Sequence, residues 1–144
     1  MSIKTVNHLD ENQIRDLKDL YQKEVPDEKR EIDEIRRMLG HCNVVVGLFD
    51  TDKERLVGFA RVLTDFVYKA LIFDVIVDPD YRGMGLRDDI MDSILTHRRL
   101  QNVRSFELCC SPGEVEFYEK WKFSPDVGEC VLMKYSTCEN HGDS

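Results

Sequence analysis

One stretch of the chain, residues 71–87, constrains the fold more than any other, and it reads L-I-F-D-V-I-V-D-P-D-Y-R-G-M-G-L-R. It begins with an almost continuous apolar run, which predicts a β-strand buried on both faces. Pro79 ends that strand because proline has no N–H to donate to a sheet. Gly83 and Gly85 follow, and the apolar residues after them repeat at helical spacing. The stretch therefore predicts a strand, a glycine turn and an amphipathic helix in direct succession.

A turn of this kind can bind an anion. Glycines let bare backbone approach a ligand, and the N-terminus of the next helix offers free N–H groups and the positive end of its dipole. No Lys-Ser or Lys-Thr follows the glycines, as a nucleotide P-loop requires, and Asp88 stands where a dinucleotide motif has its third glycine. The stretch thus predicts a phosphate-containing ligand, and a plain tight turn is the alternative interpretation.

The run V-D-P-D-Y-R-G-M-G-L-R resembles the acyl-CoA signature of the GNAT (general N-acetyltransferase) superfamily, R-G-x-G-[ILV]-[GA] after a strand that ends in V-x-P. The resemblance implies acetyl-CoA as co-substrate, with no metal. It also implies that backbone N–H groups at the strand end bind the thioester carbonyl oxygen. The implied cofactor-binding residues are Val75, Ile76, Val77, Arg82, Gly83, Met84, Gly85, Leu86 and Arg87.

The other predicted elements follow the order of that fold. A capping box at Asp10 and Gln13 begins the first helix, and Gly40 is the predicted C-cap of the second. The order β-α-α-β-β-β-α-β-α-β implies an α/β fold of the GNAT type, with a mixed sheet flanked by helices. We expect residues 1–136 to form a single domain and residues 137–144 a disordered tail. The predicted strands cover residues 2–7, 44–49, 56–63, 71–77, 105–110 and 129–135.

A second motif lies at residues 117–123, F-Y-E-K-W-K-F, which is similar to the family's F-Y-x-K-x-G-F. The resemblance implies that Tyr118 lies near the CoA sulfur. A phenol there can protonate the departing thiolate, since its pKa of about 10 exceeds the thiol's value of about 8.5. Tyr118 is therefore the candidate general acid. The alternative is an aromatic residue that packs a short helix, which is how we interpret Phe117 and Trp121.

Asp74 is an ionisable residue inside an apolar strand, where a charge normally has a partner or a chemical task. Its position resembles the acidic residue before V-x-V in polyamine acetyltransferases, which makes it a second candidate catalytic residue that deprotonates or holds the acceptor amine. The alternative is a structural aspartate hydrogen-bonded to a neighbouring loop. Asp65 and Tyr68, in the loop before the strand, are weaker candidates for the acceptor pocket.

Cys109 and Cys110 raise a different mechanism, in which a cysteine forms a covalent acyl-enzyme. No histidine lies near them in sequence, and cysteines on core strands are usually buried. We therefore expect direct transfer from acetyl-CoA to the amine, through a tetrahedral intermediate.

Three departures from the family pattern support a rival hypothesis. Arg87 replaces a small residue, and Asp88 and Asp89 place two carboxylates beside the expected pyrophosphate. Lys122 replaces a glycine that needs a positive φ. The alternative to an N-acetyltransferase is a non-catalytic GNAT-like module that binds CoA or another protein.

Composition limits the partners. A net charge of −8 argues against a basic face for nucleic acid. Five cysteines without a C-x-x-C pair indicate neither a disulfide framework nor a zinc site. Since no signal peptide or long apolar span is present, we expect a cytoplasmic protein that does not enter a membrane. The expected partner is a small-molecule or peptide amine, including cationic ones, and a homodimer is compatible with the sequence.

Overall fold

The computed structural model describes residues 2–137 of the 144-residue chain. Nearly all of the predicted tail, 137–144, therefore lies outside the described residues. The chain divides into two compact units, Met1–Cys109 and Cys110–Ser144, and each is described by itself.

The first unit contains a five-stranded sheet in the order β1-β2-β3-β4-β5. Neighbouring strands from β1 to β4 are antiparallel, and β5 is parallel to β4. The predicted mixed sheet and the hairpin formed by β2 and β3 are confirmed. The strands are β1 (Ile3–Val6), β2 (Val44–Asp50), β3 (Arg55–Thr64), β4 (Lys69–Val77) and β5 (Ser105–Leu108).

Three α-helices flank this sheet: α1 (Glu11–Glu24), α2 (Ile32–Gly40) and α3 (Leu86–Leu95). The predicted capping box of α1 is present, because the Asp10 carboxylate accepts the N–H of Gln13 and the Gln13 side chain accepts the N–H of Asp10. The predicted cap at Gly40 is wrong. The helix includes Gly40 and ends at His41 with φ −110°, so no left-handed residue is needed there.

The core of the first unit lies between the helices and the sheet. Leu17 of α1 and Ile35 of α2 pack with Phe59 and Ile76 of the central strands, and all four are almost fully buried. Helix α3 contacts β2, β3 and β4 and buries Ile90, Met91 and Ile94. Burying such side chains supplies most of the stability of a domain of this size. The sheet and its helices therefore form a firm support for the backbone of β4.

The second unit contains a short helical segment, with a 3₁₀ turn at Pro112–Glu114 followed by α4 (Val115–Glu119). The predicted capping box is present, since Glu114 accepts the backbone N–H of Ser111. The predicted last strand, 129–135, is wrong for this structure. Residues 129–137 are exposed and belong to no strand, and a strand requires a neighbour for its N–H and C=O groups.

Candidate active site

The centre of the candidate site is a β-bulge in β4. Phe59 of β3 faces Ile76, and Arg61 faces Phe73, so Ala60 alone stands opposite two residues of β4. The first of these, Asp74, has φ +58°. Left-handed backbone is uncommon outside glycine, although Asp adopts it more readily than most residues. The bulge interrupts the pairing of β3 and β4 at Asp74, the one acidic residue of β4.

Beyond the bulge, one edge of β4 has no neighbouring strand among residues 2–137. Pairing with β5 ends where Ile72 meets Leu108. The N–H of Asp78 donates to Val57 O of β3 at 2.8 Å. Because N–H directions alternate along a strand, that of Val77 faces the open edge, and Val75 precedes it by two residues within the bulge. At least one backbone donor thus faces the edge at which the family resemblance implies a thioester contact.

Asp74 is held by two side-chain hydrogen bonds. Its Oδ2 accepts from Arg61 Nε at 2.6 Å and from the Tyr21 hydroxyl at 2.8 Å. The guanidinium of Arg30 lies 3.9 Å from the same oxygen and 4.1 Å from the centre of the Tyr21 ring. The structure therefore gives Asp74 the hydrogen-bonded partners of the structural interpretation, and it brings these partners from α1, β3 and the loop after α1.

Electrostatics reinforces this cluster. Burial, together with the negative charge of Asp74, raises the pKa of Tyr21 above that of an ordinary phenol, so the hydroxyl keeps its proton and donates it. Burial alone would lower the pKa of Arg61, but the hydrogen bond and charge of Asp74 outweigh it and raise that pKa. Sequence reasoning missed Tyr21, Arg30 and Arg61. No local pattern marks them, because they meet Asp74 only through the tertiary fold.

The glycine turn follows β4 as predicted. A 3₁₀ turn, Pro79–Tyr81, leads to Gly83 with φ +81° and Gly85 with φ +78°. A Cβ at either glycine would meet no heavy atom within 4 Å, so backbone conformation, not crowding, accounts for these glycines. Gly85 is also the N-cap of α3 and offers no side chain to its first turn. The backbone of the turn is therefore not covered by side chains at Gly83 and Gly85, and no side chain caps the first turn of α3.

The other residues of the motif surround this turn. Leu86 is buried and anchors the start of α3, whereas Met84 is 51% exposed. Arg82 is exposed, and its guanidinium lies 3.8 Å from the Glu24 carboxylate at the end of α1. Two of the three departures from the family pattern lie in the first turn of α3, where Arg87 and Asp88 are half-buried and Asp89 is exposed.

Asp78 fixes the base of the turn. Its side chain is 2% exposed, and its carboxylate lies 3.1 Å from Lys23 Nζ and 3.5 Å from the Arg55 guanidinium. The other oxygen accepts the N–H of Asp80 at 2.9 Å. Burial alone would raise the pKa of Asp78, but the Asp80 N–H and the Lys23 ammonium outweigh it, and the pKa is lowered.

The weaker candidates from the sequence lie elsewhere. Asp65 and Tyr68 lie in the turn before β4, where the Asp65 carboxylate accepts the N–H groups of Val67 and Tyr68 at 2.8 and 2.7 Å. These bonds shape the turn and lower the pKa of Asp65. The expectation that the two cysteines are buried is wrong: Cys109 is exposed and Cys110 half-buried, because β5 is an edge strand that ends at Leu108.

Tyr118 lies in the second unit, on α4. It is 6% exposed, and its ring centre lies 4.9 Å from that of Phe117 and 6.3 Å from that of Phe123. The aromatic packing of the alternative interpretation is therefore present, and the catalytic role stays a prediction. Lys122 has φ +69°, so it adopts the left-handed backbone of the family's glycine, at a cost of roughly 1–2 kcal/mol.

Comparison with known proteins decides the family. The profile described as "Acetyltransferase (GNAT) family" matches residues 9–123. The chain belongs to the GNAT acetyltransferase family. The open edge of β4 and the glycine turn both lie within the matched part of this GNAT domain.

Curated relatives share about a third of their aligned residues with the GNAT domain. It is 31% identical over 100 residues to "Uncharacterized N-acetyltransferase ycf52" of Porphyra purpurea, a match that covers 68% of this chain and 58% of that protein. It is 34% identical over 101 residues to "Serotonin N-acetyltransferase 2, chloroplastic" of Oryza sativa subsp. japonica, covering 68% and 50%. The chain thus spans between half and three-fifths of the length of these relatives.

Solved structures share the fold of the GNAT domain. A putative GNAT-family acetyltransferase of Xanthomonas campestris pv. campestris matches with a TM-score of 0.78 and 26% identity over 94% of each chain. Glucosamine-6-phosphate N-acetyltransferase of Arabidopsis thaliana matches with a TM-score of 0.77 and 17% identity, over 96% of this chain and all of that one, which shows the fold alone. The predicted α/β fold of the GNAT type is confirmed.

Residues 2–137 contain neither a candidate membrane-spanning helix nor a candidate metal-binding cluster. No helix in this range is both long and apolar enough to cross a membrane. No group of three or more His, Cys, Asp or Glu side chains in the same range could hold a metal ion.

Proposed function

We propose that this GNAT domain transfers the acetyl group of acetyl-CoA directly to a primary amine. The observation that carries the proposal is the open edge of β4 beyond the bulge at Asp74, followed by the turn with left-handed Gly83 and Gly85. An extended thioester can pair with such an edge, and a phosphate group can bind such a turn. The two features follow one another along the chain, in the order in which acetyl-CoA joins its thioester to its pyrophosphate.

The residues present fit acetyl-CoA. The space in front of Gly83 and Gly85 is free of protein atoms within 4 Å of a would-be Cβ, which leaves room for a pyrophosphate against the backbone. Arg82 and Arg87 supply positive charge beside this space, whereas Asp88 and Asp89 oppose it. The proposed contacts are therefore the backbone from Arg82 to Arg87 for the pyrophosphate, and Val75, Ile76 and Val77 for the thioester arm.

The reaction needs few protein groups. When the amine attacks the thioester carbon, the carbonyl oxygen gains negative charge, and one backbone N–H at the open edge, that of Val75 or Val77, stabilises it. The C–S bond then breaks, and the sulfur leaves as a thiolate that takes a proton. We assign that proton to the Tyr118 hydroxyl, on the resemblance of its motif and the general pKa order of phenol and thiol. The amine loses its own proton to a base or to water.

Asp74 contributes by position in this proposal. Its acceptor oxygen is already engaged by Arg61 and Tyr21 at 2.6 and 2.8 Å, so these contacts favour the structural interpretation over the general base. The bonds to its carboxylate hold the backbone of Asp74 in the left-handed conformation. That conformation in turn sets the direction of the N–H groups of Val75 and Val77. Asp74 is a positioning residue for the oxyanion donors.

The acceptor class follows from the relatives and not from the fold, because a fold does not specify its pocket. One relative is named for serotonin, a small-molecule amine. We therefore propose a small-molecule or peptide amine as acceptor. The sequence predicts a cytoplasmic location, whereas two of the relatives are named as chloroplastic proteins.

The test measures free thiol released from acetyl-CoA across a panel of arylalkylamines, polyamines, amino sugars and peptide N-termini. We expect release that depends on one class of amine and is lost in Gly85→Val. Gly128→Val is the matched control, since Gly128 also has a positive φ with no atom near its Cβ. Binding of acetyl-CoA by calorimetry, with no thiol release for any amine, would support the non-catalytic module instead.

A further inference from the structure

The guanidinium of Arg30 lies beside the bulge and keeps donors that no described residue uses. Arg30 comes from the loop after α1. Its Nη1 lies 3.9 Å from Asp74 Oδ2, and its central carbon lies 4.1 Å from the centre of the Tyr21 ring. Among residues 2–137, the Glu28 carboxylate is the one acceptor that Arg30 reaches with a hydrogen bond, from Nε at 2.9 Å. Since a guanidinium also has donors on both terminal nitrogens, these stay available to a ligand.

Asp74 does not use these donors, although it lies next to them. Its Oδ2 already accepts from Arg61 Nε at 2.6 Å and from the Tyr21 hydroxyl at 2.8 Å. The distance of 3.9 Å to Arg30 is too long for a further hydrogen bond. Because Arg61 already balances the charge of Asp74, a cationic acceptor would meet a second, unbalanced guanidinium at the bulge.

The surroundings of Arg30 fix its orientation. The guanidinium stacks on the buried ring of Tyr21, and the Arg30 side chain is only 29% exposed. Glu28 holds the Nε side, but its side chain is 49% exposed, and a surface ion pair of this kind offsets little charge in water. A planar guanidinium that is already oriented loses little entropy when it binds a carboxylate or a phosphate through two parallel N–H bonds.

We propose that Arg30 binds an anionic group of the acceptor, a carboxylate or a phosphate, and thereby selects amines that carry one. The inference rests on the proposed function, because it concerns the acceptor of the same reaction. Asp74 directly precedes Val75 at the open edge of β4. A guanidinium beside Asp74 therefore lies close to the place where the amine meets the thioester. The acceptor class is then an amino acid or a phosphorylated amine, and not a polyamine.

The test compares amines in matched pairs that differ by the anionic group: tyramine with tyrosine, and glucosamine with glucosamine 6-phosphate. Thiol release from acetyl-CoA gives kcat/KM for each amine. We expect wild type to prefer the anionic member of at least one pair, and the pair that responds identifies carboxylate or phosphate. Arg30→Gln should reduce this preference roughly 10-fold or more, because a charge-assisted hydrogen bond is lost. The matched control is Lys29→Gln, which removes the same charge from an exposed residue of the same loop and should keep the preference.

Binding separates this inference from the proposed reaction. Calorimetry of the same amines on the complex with CoA requires no turnover, and wild type should bind the anionic member more tightly than Arg30→Gln does. Such binding without thiol release for any amine would support the anion site and overturn the transfer reaction. The inference is overturned if neither binding nor turnover favours an anionic member. It is also overturned if Arg30→Gln weakens both members of a pair equally, or if Lys29→Gln loses as much preference as Arg30→Gln.

Discussion

The glycine turn and the bulge both need left-handed backbone, and they achieve it in different ways. In the turn, Gly83 and Gly85 take φ near +80° with no atom near a would-be Cβ. In the bulge, Asp74 takes φ +58° despite its Cβ, and bonds from Arg61 and Tyr21 hold it there. The turn is therefore fixed by local chemistry, whereas the bulge is fixed by tertiary contacts.

Because of this difference, the glycine turn and the bulge should tolerate different kinds of amino-acid substitution. A left-handed turn made of glycine is strained by roughly 1–2 kcal/mol when a side chain is added, and most strongly when that side chain is β-branched. A left-handed aspartate is lost when its partners are removed, even if the backbone is made freer. Substitutions in the two regions should therefore fail in different measurements.

The largest expected effect is at the turn. Gly83→Val or Gly85→Val should weaken acetyl-CoA binding by roughly 100-fold or more, because a β-branched residue at positive φ distorts the backbone that meets the phosphates. Calorimetry measures the affinity, and circular dichroism confirms that the chain still folds. Gly128→Val serves as the control and should bind normally. Unchanged affinity in both turn variants would remove the turn from the site.

Tyr118 tests the second motif read from the sequence. Tyr118→Phe keeps the ring that packs on Phe117 and Phe123 and removes only the hydroxyl. We expect kcat to fall roughly 10- to 1,000-fold with acetyl-CoA affinity unchanged. Tyr135→Phe removes a phenol that is 90% exposed and should have no effect on kcat. Full turnover in Tyr118→Phe, with chemistry rate-limiting, would assign the tyrosine to packing.

Asp74→Gly separates the two modes of left-handed backbone directly. Glycine accepts φ +58° without strain but loses the bonds to Arg61 and Tyr21. We expect kcat to fall about 10-fold, because the Val75 and Val77 donors lose their fixed direction. Tyr21→Phe, which removes one of the two bonds, should give a smaller loss of the same kind.

Steady-state kinetics with acetyl-CoA in excess measures both variants. If Asp74→Gly keeps wild-type kcat, conformation alone suffices at the bulge, as it does at the turn, and the contrast between the two regions disappears. If Asp74→Gly loses activity only through a higher amine KM, the carboxylate binds the acceptor and is not a positioning residue.

The smallest expected effect concerns Asp78, the buried residue just before the glycine turn. Asp78 has a lowered pKa in the fold. Its stabilising effect is therefore complete above the unfolded value of about 3.9 and is lost as the pH falls through the folded pKa. Asp78→Asn should cost about 1 kcal/mol of unfolding free energy at neutral pH, since the buried carboxylate loses its ion pairs with the partly exposed Lys23 and Arg55.

Urea unfolding at several pH values measures this effect. The difference between wild type and Asp78→Asn should shrink as the pH falls below about 4. Asp80→Asn changes the exposed neighbour and should leave stability nearly unchanged at every pH. A difference that is constant with pH would mean that shape, and not charge, accounts for the effect of Asp78.

The same contrast explains what the sequence could predict. The strand, turn and helix of residues 71–87 depend on proline, glycine and apolar spacing, all of which are local, and the structure agrees. The bulge depends on Arg61 and Tyr21, which lie 13 and 53 residues from Asp74 in the chain. A short sequence pattern does not indicate which residues come into contact over such separations. The partners of Asp74 were therefore not predicted.

Two errors have related causes. Gly40 was predicted as a cap because glycine often ends helices, but α2 continues through it and its φ is not left-handed. The strand at 129–135 is predicted from propensity, yet residues 129–137 belong to no strand in this structure, and a strand forms only when a neighbour pairs with it. The conformational preference of a segment favours a helix or a strand. Whether that helix or strand forms also depends on contacts with distant residues.

The central claim is that the open edge of β4 binds the thioester while the glycine turn binds the phosphates. Backbone amide NMR titrations with CoA and with acetyl-CoA test it most directly. We predict that both ligands shift the amides from Gly83 to Arg87, and that only acetyl-CoA adds large shifts at Val75 and Val77. Equal spectra for the two ligands at Val75 and Val77, or shifts confined to other strands, would contradict the account.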